Sequence, residues 1–248
     1  MRRSISPRHA SVAGVSAAAP ISADVPRRLS RQDWIAAARK LLLKRGIDEV
    51  KVDHLARQMR VTRSSFYSYF ENRNDLFEAL LADWEARNYL DIARIQACWA
   101  RSPPEMAAMI GLWLGEDPTA RSFDIALRAW ARRAAEPADS IRRVDDAWIG
   151  LLRKSFGRDG IAADEALVRA RITYFHQIGY WALDLDEERD ERVRLAPVYY
   201  RVLTGHEATA GLAKALTRQA GTKPDKRAAP GRAVQRIPVP SPPTRPRA

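Results

Sequence analysis

Residues 51–76 read KVDHLARQMRVTRSSFYSYFENRNDL. Their spacing predicts two short helices joined by a tight turn, with a third helix starting directly after. The first spans 52–59 and turns Leu55 and Ala56 inward. Arg60 and Val61 make the turn. Thr62 is placed to cap the next helix, because its hydroxyl can accept from an early backbone N–H. That helix, predicted over 63–70, carries Phe66 and Phe70 one turn apart on one face. Arg63, Ser64, Ser65 and Ser68, with Tyr67 and Tyr69 between them, supply donors elsewhere. A helix anchored by two aromatics and otherwise short or basic fits the DNA major groove, where base edges carry a readable donor and acceptor pattern.

The flanking residues extend this unit. Ser30 with Asp33 reads as a capping box opening a helix to about Arg45, with Trp34, Ile35, Ala38, Leu41 and Leu42 as its apolar stripe. Lys44 and Arg45 followed by Gly46 read as a basic last turn and an αL glycine. Asn72 caps a fourth helix over 73–98, with Leu76, Phe77 and Leu80 packing under the DNA-facing unit.

Residues 34–76 resemble the DNA-binding region of TetR-family transcriptional regulators. The resemblance rests on Gly46, on Leu55-Ala56, on the run Val61-Thr62, Ser65-Phe66-Tyr67 and Tyr69-Phe70, and on Arg73 with Asp75-Leu76 behind it. Arg73 stands where the family usually has a phosphate-contacting Lys. Three positions depart from the pattern. Arg60 replaces the usual turn Gly, where a side chain at positive φ is unfavourable. Ser64 replaces the usual small Gly, and Lys51-Val52 stand where a capping Thr or Ser is common. The expected DNA contacts are Lys51, Thr62, Arg63, Ser64, Ser65, Tyr67, Ser68, Tyr69 and Arg73. Arg63 is the base reader, with bidentate reach to guanine. Arg73, Tyr67 and Lys51 are phosphate positioners. The bland alternative is that these residues are the solvated face of a core helix.

The charge distribution supports a DNA-facing head. The 248 residues carry +12 overall. Residues 1–28 hold five Arg against one Asp, and residues 207–248 hold nine Lys or Arg against two acids. Between them, 29–76 is net +4 and 77–206 is net −3. A basic head with a mildly acidic rear is what an anionic partner at one end requires. Both ends are rich in Pro and poor in large apolars, so they read as disordered tails, a basic one at 1–28 and a Pro-rich basic one at 207–248.

From 103 onward helical spacing repeats without strand alternation. Helices are expected over 103–114, 118–134, 137–156, 164–183 and 188–203, with Pro197 kinking or restarting the last. In the helix over 164–183 the apolar positions are Leu167, Ile172, Phe175, Ile178, Gly179 and Ala182. The fold class is therefore all-α. A three-helix helix-turn-helix DNA-binding domain occupies 29–76, and a helical-bundle ligand and dimerisation domain occupies 77–206. By resemblance, 164–183 and 188–203 pair with their copies in a homodimer through a four-helix bundle. Two heads about 34–36 Å apart would then read two half-sites. The resemblance also implies a small-molecule effector in the rear domain. Trp113, Phe123, Trp130, Trp148, Tyr174 and His176, with Trp181, are its candidate lining, against the alternative of plain core packing.

No catalytic residue, cofactor or metal is expected. The four His are far apart, Cys98 is the single Cys, and neither a phosphate-cradling glycine loop nor a nucleophile elbow is present. No apolar run is long enough to span a bilayer, so no membrane partner is expected, and the N-terminal stretch lacks the apolar centre of a signal peptide. The expectation is a cytoplasmic, ligand-responsive repressor that binds double-stranded DNA at a palindromic operator. The alternative is a ligand-independent or accessory DNA binder assisted by its tails.

Overall fold

The computed structural model describes residues 29–97, 109–113, 117–185, 187–211 and 214. Helix α1 (Arg31–Arg45) opens on the expected capping box: Ser30 N–H donates to the Asp33 carboxylate at 2.8 Å, and Asp33 N–H donates back to Ser30 Oγ at 3.3 Å. Its expected stripe is buried throughout. Gly46 ends the helix at φ 84°, ψ 171°, not in the αL region. That extended, positive-φ conformation is open essentially to Gly alone. A short 3-10 turn, Ile47–Glu49, leads to α2 (Val52–Met59).

The turn after α2 is closed by Arg60 itself, at φ 59°, ψ 42°. Val61 N–H reaches back to Ala56 O at 3.0 Å, so the last orphan carbonyls of α2 are satisfied despite the missing glycine. Helix α3 (Arg63–Tyr67) is shorter than the predicted 63–70. Ser68 and Tyr69 form a tight turn in which Tyr69 N–H bonds Phe66 O at 2.9 Å. Thr62 takes the N-cap position in extended backbone, but its hydroxyl makes no capping bond, contrary to expectation.

Phe66 and Phe70 anchor α3 as the spacing predicted. Their rings stack at 5.2 Å, and Trp34 meets Phe66 edge-on at 5.3 Å. Phe66 is fully buried, so truncating it to Ala would cost about 3–5 kcal/mol. Asn72 caps α4 (Arg73–Ala97), its side-chain oxygen accepting from Asn74 and Asp75 N–H.

Helix α4 crosses from head to rear without a break. After it come the helical residues 109–113, α5 (Pro118–Ala131), α6 (Ala135–Arg158), α7 (Ala163–Ala182) and α8 (Arg189–Thr204); α6 packs along α4 and α7 packs on α6. Among the described residues the fold contains no strand. Asp117 caps α5 by accepting from Thr119 N–H at 3.0 Å. Helix α6 starts two residues earlier than expected, with Pro137 in its first turn, where the missing N–H is harmless.

Helix α7 turns its small and polar residues, not its largest apolar ones, toward the chain's own core. Its buried residues are Ala166, Ala170, Thr173, Tyr174 and Gln177, while Ile172 and Phe175 stand 55% and 58% exposed. Small Ala residues let α6 come close, and the large apolar side chains point away from the chain's own core. Helix α8 runs on through Pro197 rather than restarting there, with buried Ala196 and Tyr200 on either side. The tails 1–28 and 215–248, Cys98 and the expected helix start at 103 lie outside the described residues.

Candidate nucleic-acid interface and rear-domain cavities

Burying Phe66 fixes which way α3 faces. Thr62, Arg63, Ser64, Tyr67 and Ser68 come to one exposed surface, with Tyr67 52% exposed. Lys51 is exposed at the entry to α2, its amine 3.6 Å from Glu49. Ser65 is half-buried. Arg63 is held from two sides. Asp53 on α2 meets its Nε at 3.0 Å, and its NH2 group donates to Tyr67 Oη at 3.4 Å. The Tyr67 hydroxyl, then the Asp53 charge, hold the guanidinium proton above its ordinary range. With Nε on Asp53 and one NH2 hydrogen on Tyr67, NH1 and the second NH2 hydrogen are left for a base edge. Sequence reasoning missed Asp53; its spacing of ten residues from Arg63 becomes a contact only when the two helices cross.

Two expected contacts are turned inward. The Tyr69 hydroxyl donates to the carbonyl of Leu29, tying the end of α3 to the start of α1. Arg73 donates through Nε to Val50 O at 2.7 Å and through NH2 to Ile47 O at 2.8 Å, and lies 4.6 Å over the Phe77 ring. These donors brace α4 against the loop between α1 and α2, where Ile47 O also accepts from Val50 N–H at 3.1 Å.

The family described as "Bacterial regulatory proteins, tetR family" matches residues 35–80, the span from α1 into α4 that builds this surface. The head is a tetR-family DNA-binding domain. Solved structures extend the likeness to the rear helices. A TetR-like transcriptional regulator from Rhodococcus sp. RHA1 is 20% identical, with a TM-score of 0.57, covering 73% of this chain and 100% of that one. AmtR of Mycobacterium smegmatis is 18% identical, with a TM-score of 0.54, covering 81% and 99%. FadR of Bacillus subtilis, solved in complex with stearoyl-CoA, is 16% identical, with a TM-score of 0.54, covering 71% and 98%. At these identities the structural likeness establishes the fold. No curated protein matches the chain by sequence.

Behind the tetR-type head, the aromatic residues of the rear domain divide among three places. Trp113, Trp148, Tyr174 and Trp181, with Asp91 and Asp124, line a cavity of about 50 Å³ beside α4. His176 lines a second cavity of about 50 Å³ between α7 and α8, and Trp113 borders both. Phe123 and Trp130 border neither. Phe123 lies under the Arg39 guanidinium at 4.6 Å, and Trp130 meets Phe77 at 5.1 Å, so both belong to the seam between head and rear. The His176 ring lies 5.1 Å from Tyr199 and 6.3 Å from Tyr180; burial lowers its pKa, with Glu187 opposing.

Asp124 and Tyr174, on the wall of the first cavity, belong to an ionic cluster. Arg128 Nε donates to Asp124 at 2.6 Å, and its NH1 and NH2 donate to the two Asp145 oxygens at 3.1 and 2.9 Å. Tyr174 Oη donates to Asp145 at 2.7 Å and accepts from Arg128 at 3.1 Å. Burial raises the Asp124 pKa, with Arg128 opposing, and burial also holds the Tyr174 hydroxyl protonated. The half-buried Asp91 is likewise raised by its partial burial against the pull of Arg94. Among the described residues no group of three metal-ligating side chains is placed to hold an ion, and no helix is long and apolar enough to cross a membrane.

Proposed function

We propose that this protein is a ligand-responsive repressor that binds a palindromic operator as a homodimer in the cytoplasm. The observation that carries the reading is the exposed surface of α3, where Arg63, its side chain 61% exposed, is oriented by Asp53 and Tyr67. Thr62, Ser64, Ser65, Ser68 and Lys51 add contacts around it, and Tyr67 positions a phosphate. Arg73 and Tyr69 act by holding the head's shape; the Arg73 NH1 group is its remaining donor toward a phosphate.

Dimerisation is supported by the exposed apolar stripe of α7, Val168, Ile172 and Phe175, beside exposed Val198, Tyr199 and Val202 on α8. A stripe of this length on two neighbouring helices is covered best by its own copy. Effector response is supported by α4. The same helix puts Leu76 and Phe77 into the head core and Asn88 and Asp91 at the cavity. A ligand that binds better when α4 is displaced would separate the two heads, and only that difference in affinity could drive release. The neighbour solved with stearoyl-CoA supports an effector site in this fold.

A second reading, a ligand-independent or accessory DNA binder aided by its tails, is favoured by the small size of both cavities, about 50 Å³ each. Selection of bound DNA from a random pool with the full chain separates the two. The first reading expects a palindrome with two half-sites. Arg63→Ala should weaken it by about 1–3 kcal/mol per half-site. Asp53→Asn should leave overall affinity but reduce discrimination between bases several-fold, because it frees the guanidinium to turn and removes a charge that repels phosphate. Binding with no enriched sequence would overturn the operator reading.

A further inference from the structure

We propose that the cavity beside α4 binds a small organic cation of the methylated-ammonium type, an inference that deepens the effector reading above. Three observations meet there. The first is charge. Asp124 and Asp145 share the single guanidinium of Arg128, so the cluster holds one more carboxylate than cation, with Asp124 as its member on the cavity wall. The Asp124 side chain is only 9% exposed. Asp91, on α4, adds a second carboxylate to the wall, its Arg94 partner lying on the solvent side with a side chain 64% exposed. A buried carboxylate without full compensation favours a second cation.

The second is the wall. Four of its side chains are aromatic, Trp113, Trp148, Tyr174 and Trp181, and the rings of Trp113 and Trp148 are inclined at 48° with centroids 6.2 Å apart. Electron-rich ring faces around a charge that cannot donate hydrogen bonds are the usual means of holding a quaternary ammonium. The polar groups present are mostly engaged. Asn88 accepts from Trp148 Nε1 at 2.9 Å and donates to Trp84 O at 3.0 Å, and the Tyr174 hydroxyl is spent on Asp145. The buried Trp181 Nε1–H meets no acceptor. One N–H among carboxylates is too little for an anion, but it suits a hydroxyl or ether oxygen carried by the cation.

The third is size. About 50 Å³ corresponds to roughly three to five water-sized spheres, the bulk of a trimethylammonium head. A long acyl chain or a flat polycyclic compound does not fit this space.

The test is calorimetric titration of the full chain with choline and with its uncharged isostere 3,3-dimethylbutan-1-ol, in the absence of DNA. Choline is expected to bind saturably, and the isostere at least about tenfold more weakly. Asp91→Asn, at the rim, and Trp181→Leu, on the half-exposed wall, should each weaken choline about tenfold, with circular dichroism unchanged. Equal binding of the isostere, no saturable heat with choline, or well-folded variants that keep full affinity would each overturn the proposal. Operator release is read separately. Choline binding without release keeps the cation site and removes its effector role; no binding removes the site and leaves effector response to other ligands.

Discussion

Arg60 occupies αL backbone at φ 59°, ψ 42°, a conformation that costs a side chain about 1–2 kcal/mol. Arg60→Gly should therefore raise stability by about 1 kcal/mol, read as a higher melting temperature, with operator affinity unchanged if Arg60 makes no DNA contact. His176 sets a pH dependence of opposite kind to a salt-bridged histidine. Its folded pKa is lowered by burial, with Glu187 acting the other way, while Tyr180 and Tyr199 pack on the ring and Arg192 lines the same cavity. Below the ordinary value of 6.5 the unfolded chain takes up the proton first, so stability falls as pH drops through that value. The melting temperature at pH 5.5 should lie below that at pH 7.5, and His176→Gln should narrow the gap. An unchanged gap would assign the dependence to other groups.

Helix α7 carries two faces of different use. Thr173, Tyr174 and Gln177 turn inward and complete the cavities; Val168, Ile172 and Phe175 turn outward. If the outward face is the dimer seam, a charge there has no place to go once a second copy docks. Phe175→Glu or Ile172→Glu should give a monomer by sedimentation with helical content retained, and should weaken operator binding by at least about tenfold, since two linked heads gain from a high effective concentration. A variant that stays dimeric would place the seam elsewhere. The same helix shows where periodicity stops informing. An apolar stripe at helical spacing was legible in the sequence, but not whether its partner lay within the chain. In α3 the two agreed, because Phe66 and Phe70 fold against Trp34 of the same head.

Charge is spread unevenly over the whole molecule. The head at 29–76 is net +4 and the span 77–206 is net −3, while 1–28 carries five Arg and 215–248 carries eight Lys or Arg. Phosphate contacts by such segments release counterions, so affinity falls steeply with salt. Removing 1–28 and 215–248 should flatten the salt dependence of DNA binding while leaving the preferred sequence intact. Loss of sequence preference with the tails would give them the recognition role instead. The continuity of α4 from Arg73 to Ala97 joins head and rear into one mechanical path, which a boundary drawn at residue 76 does not convey.

Capping residues, turn residues and 3.6-residue spacing act locally, so the sequence by itself determined the all-α class, the limits of α2 and most of α1 and α4, and the anchoring of the tetR-type head by Phe66 and Phe70. The tertiary structure alone decided which donors were spent internally. Arg73 meets carbonyls 23 and 26 residues away, and Tyr69 meets one 40 residues away. It also gathered Asp124, Arg128, Asp145 and Tyr174 from three helices into one cluster, and sent Phe123 and Trp130 to the seam instead of a cavity. The physical reason is the same throughout. Helix spacing fixes the direction of a side chain relative to its own helix, whereas hydrogen-bond and charge partners depend on how the helices cross.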